Sequence, residues 1–156
     1  GVRCALGAGA NVLALGDVPD GETLELVLDA VEAGMLVYAA LEARSAHEAL
    51  ALLLDRIPAE GGELLRARLV SALRWVAWQA LVRDTHGGRV AAVEMLEGNT
   101  ALATAVKSAR GPDDFRIAGR SMSIAGQRSY EAALEQLVVD GRVTPEEAER
   151  ARAAVL

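Results

Sequence analysis

The sequence predicts an α/β unit over residues 1–97, built on a mostly parallel sheet, followed by an all-α bundle over residues 98–156. Three observations carry this reading. Strand, helix, strand and helix patterns alternate through the first 57 residues, the order that makes right-handed crossovers onto parallel strands. Hydrophobic residues make up 52% and charged residues 24% of the 156, enough apolar surface for the core of one ordinary domain. Beyond Gly98 the patterning is helical only.

Residues 11–16 (NVLALG) form a short apolar run bounded by glycine, as in a strand buried on both faces. A helix over about residues 22–33 follows, with Leu24, Val27, Leu28 and Val31 on one side and Gly34 as its stop. Residues 35–41 (MLVYAAL) make a second buried strand. Ser45 and Glu48 read as a capping box opening a helix that runs through Leu50, Leu53 and Leu54 to Ile57, where Pro58 ends it. The spacing of Leu65, Leu69, Leu73, Val76 and Ala80 predicts one long helix over about residues 62–81. A turn at residues 84–88 contains His86. Residues 89–96 are a third strand, edge or antiparallel, with Glu94 interrupting its alternation.

Asn99 or Thr100 caps the next helix, which ends near Arg110 before the Gly111-Pro112 break. A short helix near residues 113–122 follows. Ser129 caps a helix with Leu134, Leu137 and Val138 inward and Gly141 at its stop, and Thr144-Pro145-Glu146-Glu147 opens the last one.

Composition excludes several function classes. A net charge of −6 and a pI near 5.0 make the chain as a whole repel nucleic acid and anionic lipid. Cys4 is the only cysteine, so no internal disulfide forms and a reducing compartment is the simpler expectation. Lys107 is the only lysine among 16 basic residues; it precedes Ser108 but follows Val106, far from Gly98, so the chain carries no phosphate-cradling P-loop. No apolar run reaches the roughly 18 residues of a membrane helix, which predicts a soluble protein. The start at Gly1 in place of methionine predicts a processed or shortened chain.

Asp17 stands just past the first strand, at the edge where open α/β sheets bind ligands. A carboxylate there can hold Mg²⁺ or orient water. Spacing alone favours the plainer role, in which Asp17 and Asp20 cap the following helix, Asp20 being the better placed. His47 and His86 have no second ligand at metal spacing, so a zinc site is not expected, and His47 reads as solvated in the first turn of its helix. Cys4 lacks a histidine partner and a nucleophile's context. No Gly-x-Ser-x-Gly element is present. Gly7-Ala8-Gly9-Ala10 precedes a strand instead of following one and reads as a plain loop. Trp75 and Trp78, on one face of a helix with Arg74, would make an aromatic, basic patch for a partner, although packing on the sheet is the simpler reading.

The order of elements resembles the C-terminal half of the type IV pilus retraction ATPases, the twitching-motility branch of the secretion ATPases, from about Arg3 to the last helix. That family's Walker B element, an aliphatic strand followed by Gly-Glu, corresponds to residues 10–17 (ANVLALGD), which makes Asp17 the catalytic and Mg²⁺-side carboxylate and Gly16 part of the nucleotide site by resemblance. Pro19-Asp20, residues 22–28 (ETLELVL), Gly34-Met35-Leu36-Val37-Tyr38, Asp55-Arg56-Ile57-Pro58, Gln79-x-Leu81 and residues 141–148 continue the match.

Departures accompany it. The family's glutamate is Asp17, the aspartate before the strand is Asn11, and the two histidines of its histidine box are Met35 and Glu42. The retraction stretch corresponds to residues 101–108 (ALATAVKS), with its first arginine at Ala103, its second at Lys107 and its glutamate at Ser108. The resemblance implies a truncated RecA-like P-loop NTPase core lacking Walker A. It further implies ATP and Mg²⁺ as cofactors of a longer parent, with none bound to this fragment. The parent would form a hexameric ring at the cytoplasmic face of the inner membrane, touching an integral-membrane platform protein of the pilus and, in some systems, other pilus ATPases. The fragment would be monomeric or weakly associated, and no nucleic acid is expected. Two roles follow: part of a motor that disassembles pili, or a non-hydrolysing structural or regulatory relative. A third, a RecA-like fragment of a helicase or recombinase, is opposed by the acidic balance.

Overall fold

The computed structural model describes residues 1–108 and 127–155. The chain opens with α1 (Val2–Gly7), which sequence patterning had not indicated, then β1 (Val12–Leu15), α2 (Gly21–Glu32), β2 (Leu36–Ala39), α3 (Ala46–Asp55) and α4 (Glu63–Ala72). A hairpin of β3 (Trp75–Arg83) and β4 (Arg89–Glu97) follows, then α5 (Thr100–Ser108), α6 (Tyr130–Val139) and α7 (Pro145–Val155). The expected break at Gly111-Pro112 and the short helix near residues 113–122 lie outside the described residues.

The helix boundaries follow local chemistry. Asp20 accepts from the Thr23 amide at 2.8 Å and opens α2; Gly34, at φ 93°, lets the chain turn out of it. Ser45 accepts from the Glu48 amide at 3.0 Å, while Glu48 reaches back one residue further than a standard capping box, to the Arg44 amide at 2.6 Å. Asn99, rather than Thr100, caps α5 through the Leu102 amide at 3.1 Å. Ser129 and Thr144 cap α6 and α7 as expected.

Three expectations are corrected. The long helix over residues 62–81 ends at Ala72, and Leu73 turns into extended backbone (ψ 126°) leading to β3. The apolar positions in WVAWQALV satisfy a period of 2 as well as one of 3.6, and pairing with β4 decides between them. The close approach is at Gly98, whose amide donates to the Arg74 carbonyl at 2.7 Å; a Cβ there would overlap the Leu73 carbonyl. Parallel pairing among the described residues, secondly, is confined to β1 and β2, registered Val12 to Leu36 and Leu15 to Ala39, whereas β3 and β4 are antiparallel. Nor are β1 and β2 buried on both faces: Val12 is 56% and Tyr38 61% exposed.

The main core gathers Val18, Leu24, Leu28, Leu50, Leu54, Leu69 and Leu96, and α5 adds Leu102, Ala105 and Val106 to it. A second cluster packs α6 and α7 on the hairpin through Val82, Ala92, Tyr130, Leu134, Val143 and Ala148. Trp78 joins the two, its ring edge-on to Tyr130 at 5.2 Å.

Candidate functional site

Asp17 lies two residues past β1, in a connection that the fold holds on both sides. Val18 is completely buried and anchors it. The Val18 amide donates to the Asp17 Oδ1 at 2.7 Å, and Arg56 Nε, just past α3, donates to the Val18 carbonyl at 3.1 Å. Asp20 is committed to capping α2, and its carboxyl is held below the usual range by the Thr23 backbone amide first and the Thr23 hydroxyl second. The two aspartates therefore divide their roles: Asp20 serves the helix, and Asp17 remains an exposed carboxylate on an anchored loop.

The parallel register sets the other half of the edge. The Ala40 amide donates to the Leu15 carbonyl at 3.0 Å, so the chain leaving β2 through Leu41 and Glu42 departs from the same sheet edge as Gly16 and Asp17. The Trp78 indole N–H fixes that connection by donating to the Ala43 carbonyl at 2.7 Å. Exposed Glu42 and Asp17 are thus brought to one edge. Met35, at the other end of β2, is buried with Val2 and Ala30 and serves packing.

Other expected residues fall elsewhere. His47 is not solvated: it is 5% exposed, and its Nδ1 lies 3.1 Å from Glu94 Oε1. The signal was present in the sequence, because His47 precedes Leu50, Ala51 and Leu54 at helical spacing on the inward face of α3, and Glu94 alternates with buried Ala92 and Leu96. Trp75 and Trp78 lie on opposite faces of β3, so the shared aromatic patch does not exist. Cys4 is exposed on α1. Lys107 sits exposed in the last turn of α5, where residues 101–108 bury only Leu102, Ala105 and Val106. His86 occupies the hairpin turn beside Asp84, which Arg142 grips through Nε at 2.9 Å and Nη2 at 2.5 Å.

Among the described residues no group of three or more His, Cys, Asp or Glu is placed to hold a metal ion, and no helix is long and apolar enough to cross a membrane.

The family described as Type II/IV secretion system protein matches residues 1–152. The chain is 32% identical over 143 residues to the uncharacterized protein YggR of Escherichia coli strain K12, covering 92% of this chain and 44% of that protein. It is 30% identical over 147 residues to the type IV pilus retractation ATPase PilT of Pseudomonas aeruginosa, covering 94% of this chain and 42% of PilT. Among solved structures, the pilus retraction motor PilT with bound ADP superposes at a TM-score of 0.76 with 28% identity, over 96% of this chain and 42% of that one. The ATPase DotB of Legionella pneumophila reaches a TM-score of 0.84 at 21% identity over 99% of this chain and 42% of DotB, a likeness of fold. The chain spans less than half the length of these relatives.

Proposed function

The chain belongs to the type II/IV secretion system protein family, and we propose that it forms the C-terminal part of a type IV pilus motor ATPase subunit that couples ATP hydrolysis to pilus disassembly. The observation that carries this reading is the similarity to PilT along 94% of the chain; on this reading the anchored Asp17 loop would take the Walker B position. On this reading residues 1–97 are the second half of a RecA-like core and residues 98–156 its C-terminal helices. Mg²⁺ arriving with the nucleotide would neutralise charge building on the phosphates. Asp17 would offer it one oxygen or hold the attacking water, with Gly16 leaving room beside it. A phosphate-cradling loop would come from an upstream segment, so this chain alone neither binds nor hydrolyses ATP. The assembled parent would be a hexameric ring in the cytoplasm, docked on the pilus platform protein at the inner membrane, without nucleic acid.

A second role, as a non-hydrolysing structural or regulatory subunit, is favoured by three residues. Asp17 is one methylene shorter than the family's glutamate, Met35 is committed to the core, and Glu42 stands where the second histidine would be.

One experiment separates the readings. Calorimetric titration of Mg·ATP into this chain should show no micromolar affinity; such affinity would overturn the need for an upstream loop. In a protein carrying the upstream segment, Mg²⁺-dependent hydrolysis abolished by Asp17→Ala supports the motor. Nucleotide binding without hydrolysis, indifferent to that substitution, supports the regulatory subunit. Asp17 is exposed, so Asp17→Ala should move stability by no more than about 0.5 kcal/mol; a larger loss would make the residue structural.

A further inference from the structure

Between α6 and α7 runs an open groove of about 550 Å³. Its apolar lining is Val138, Val139, Pro145 and Ala148. Val139, 81% exposed, is the most exposed large hydrophobic side chain among the described residues. The groove is also acidic. Glu135, Glu146 and Glu149 line it against one cation, Arg152, which is already engaged by Glu149 and, at 3.8 Å, by Glu135. Arg150, the other basic residue of the two helices, lies 3.5 Å from Glu147, and Arg142 in the connection between them grips Asp84.

An apolar trough between two helices accepts the apolar stripe of a third, anchored at i, i+3 or i+4, and i+7. The charge excess selects the flanks of that stripe, because like charges set opposite each other across an interface are strongly disfavoured. Two other occupants fit less well. A second copy paired groove to groove would set the same carboxylates against each other, and an anionic membrane would meet an acidic surface. We propose that the groove between α6 and α7 is a docking site for a basic amphipathic helix of a partner protein. This rests on the shape and charge of the two helices, and it stands whichever nucleotide role the parent has.

The test uses the full chain and two synthetic amphipathic peptides of about 16 residues, long enough for four turns. They share one leucine face; one carries Arg and Lys at its flanks, the other Glu. By fluorescence anisotropy the basic peptide should bind in the micromolar range, and Val139→Asp should weaken it about tenfold, as loss of a central apolar anchor does. Glu146→Lys, on the exposed rim, should weaken it further and flatten its salt dependence. The Glu-flanked peptide should not bind. Circular dichroism confirms that both variants fold. Equal binding of the two peptides, indifference to both substitutions, or no binding at about 1 mM peptide would overturn the proposal. So would self-association in sedimentation that Val139→Asp abolishes, which would assign the groove to a second copy. Capture by anionic vesicles with no affinity for the peptide would assign it to lipid.

Discussion

Glu94, on β4, closes the N-terminus of α3 from across the core: its Oε2 accepts the Ala46 amide at 2.8 Å, and its Oε1 lies 3.1 Å from His47 Nδ1. A helix N-terminus favours a carboxylate through its unpaired amides and its dipole, and an ionised Glu94 requires the proton of the imidazole on Nδ1. One buried side chain thus aligns α3 with the hairpin.

Glu94→Leu should therefore leave two buried donors without an acceptor and cost about 3 kcal/mol, read as a fall in urea midpoint at constant slope. The double variant His47→Leu/Glu94→Leu should recover part of that loss, because it removes the stranded imidazole donor and leaves only the Ala46 amide without its Glu94 acceptor. A loss below about 0.5 kcal/mol for the single variant, within the range of ordinary surface substitutions, would show that the pair does not align the helix.

The Asp84–Arg142 pair makes an acid-limb prediction. Hydrogen bonds from the Arg142 guanidinium, and then from the His86 backbone and ring, hold the Asp84 carboxyl well below the usual carboxylate range. A carboxyl depressed in the folded state stabilises fully above its unfolded value, about 3.9, and that contribution is lost as pH falls through the folded one. Thermal scans should show the wild type losing stability below about pH 4 more steeply than Asp84→Asn, with the two curves offset but parallel above pH 6. Parallel curves throughout would mean the pair is not coupled to folding. Because Thr85 also donates to the Gly141 carbonyl at 2.8 Å, the hairpin tip should stay docked on the α6–α7 connection in the variant.

Gly98 is closed to any side chain. Gly98→Ala should destabilise by about 1–3 kcal/mol, the cost of forcing atoms into a filled contact. Gly88→Ala, with open space around its Cα, should be near neutral and serves as the control. Comparable losses at both positions would refute the close approach at Leu73.

The tryptophans offer an optical check on β3. Trp75 is 54% exposed, while Trp78 is partly buried between the two core clusters. Trp78→Phe should leave red-shifted emission that iodide quenches readily, and Trp75→Phe should leave blue-shifted emission that it quenches poorly. The first variant should also lose about 1 kcal/mol with the indole hydrogen bond to Ala43. Equal quenching in the two variants would return both residues to one face.

Local signals carried far in this chain. Ser45, Ser129 and Thr144 open their helices as read, Gly34 and Gly141 close theirs, and the hairpin turn falls at residues 84–88. The retraction-ATPase resemblance, resting on collinear order, agrees with the family match over residues 1–152. The failures share one cause. Residues 73–81 satisfy helical and extended periodicities at once, His47 sits on an apolar stripe where a histidine reads as surface, and Glu94 looks like an interruption.

Capping, turns and the periodicity of α2 and α3 depend on residues a few positions apart, so the sequence by itself determined them. The strand identity of β3, the antiparallel pairing and the burial of His47 against Glu94 depend on partners 6 to 47 positions away along the chain. A residue's local preference for helix or strand is worth only tenths of a kcal/mol up to about 1 kcal/mol, whereas pairing and burial across the core contribute several times that. Where the two disagreed, only the tertiary structure decided.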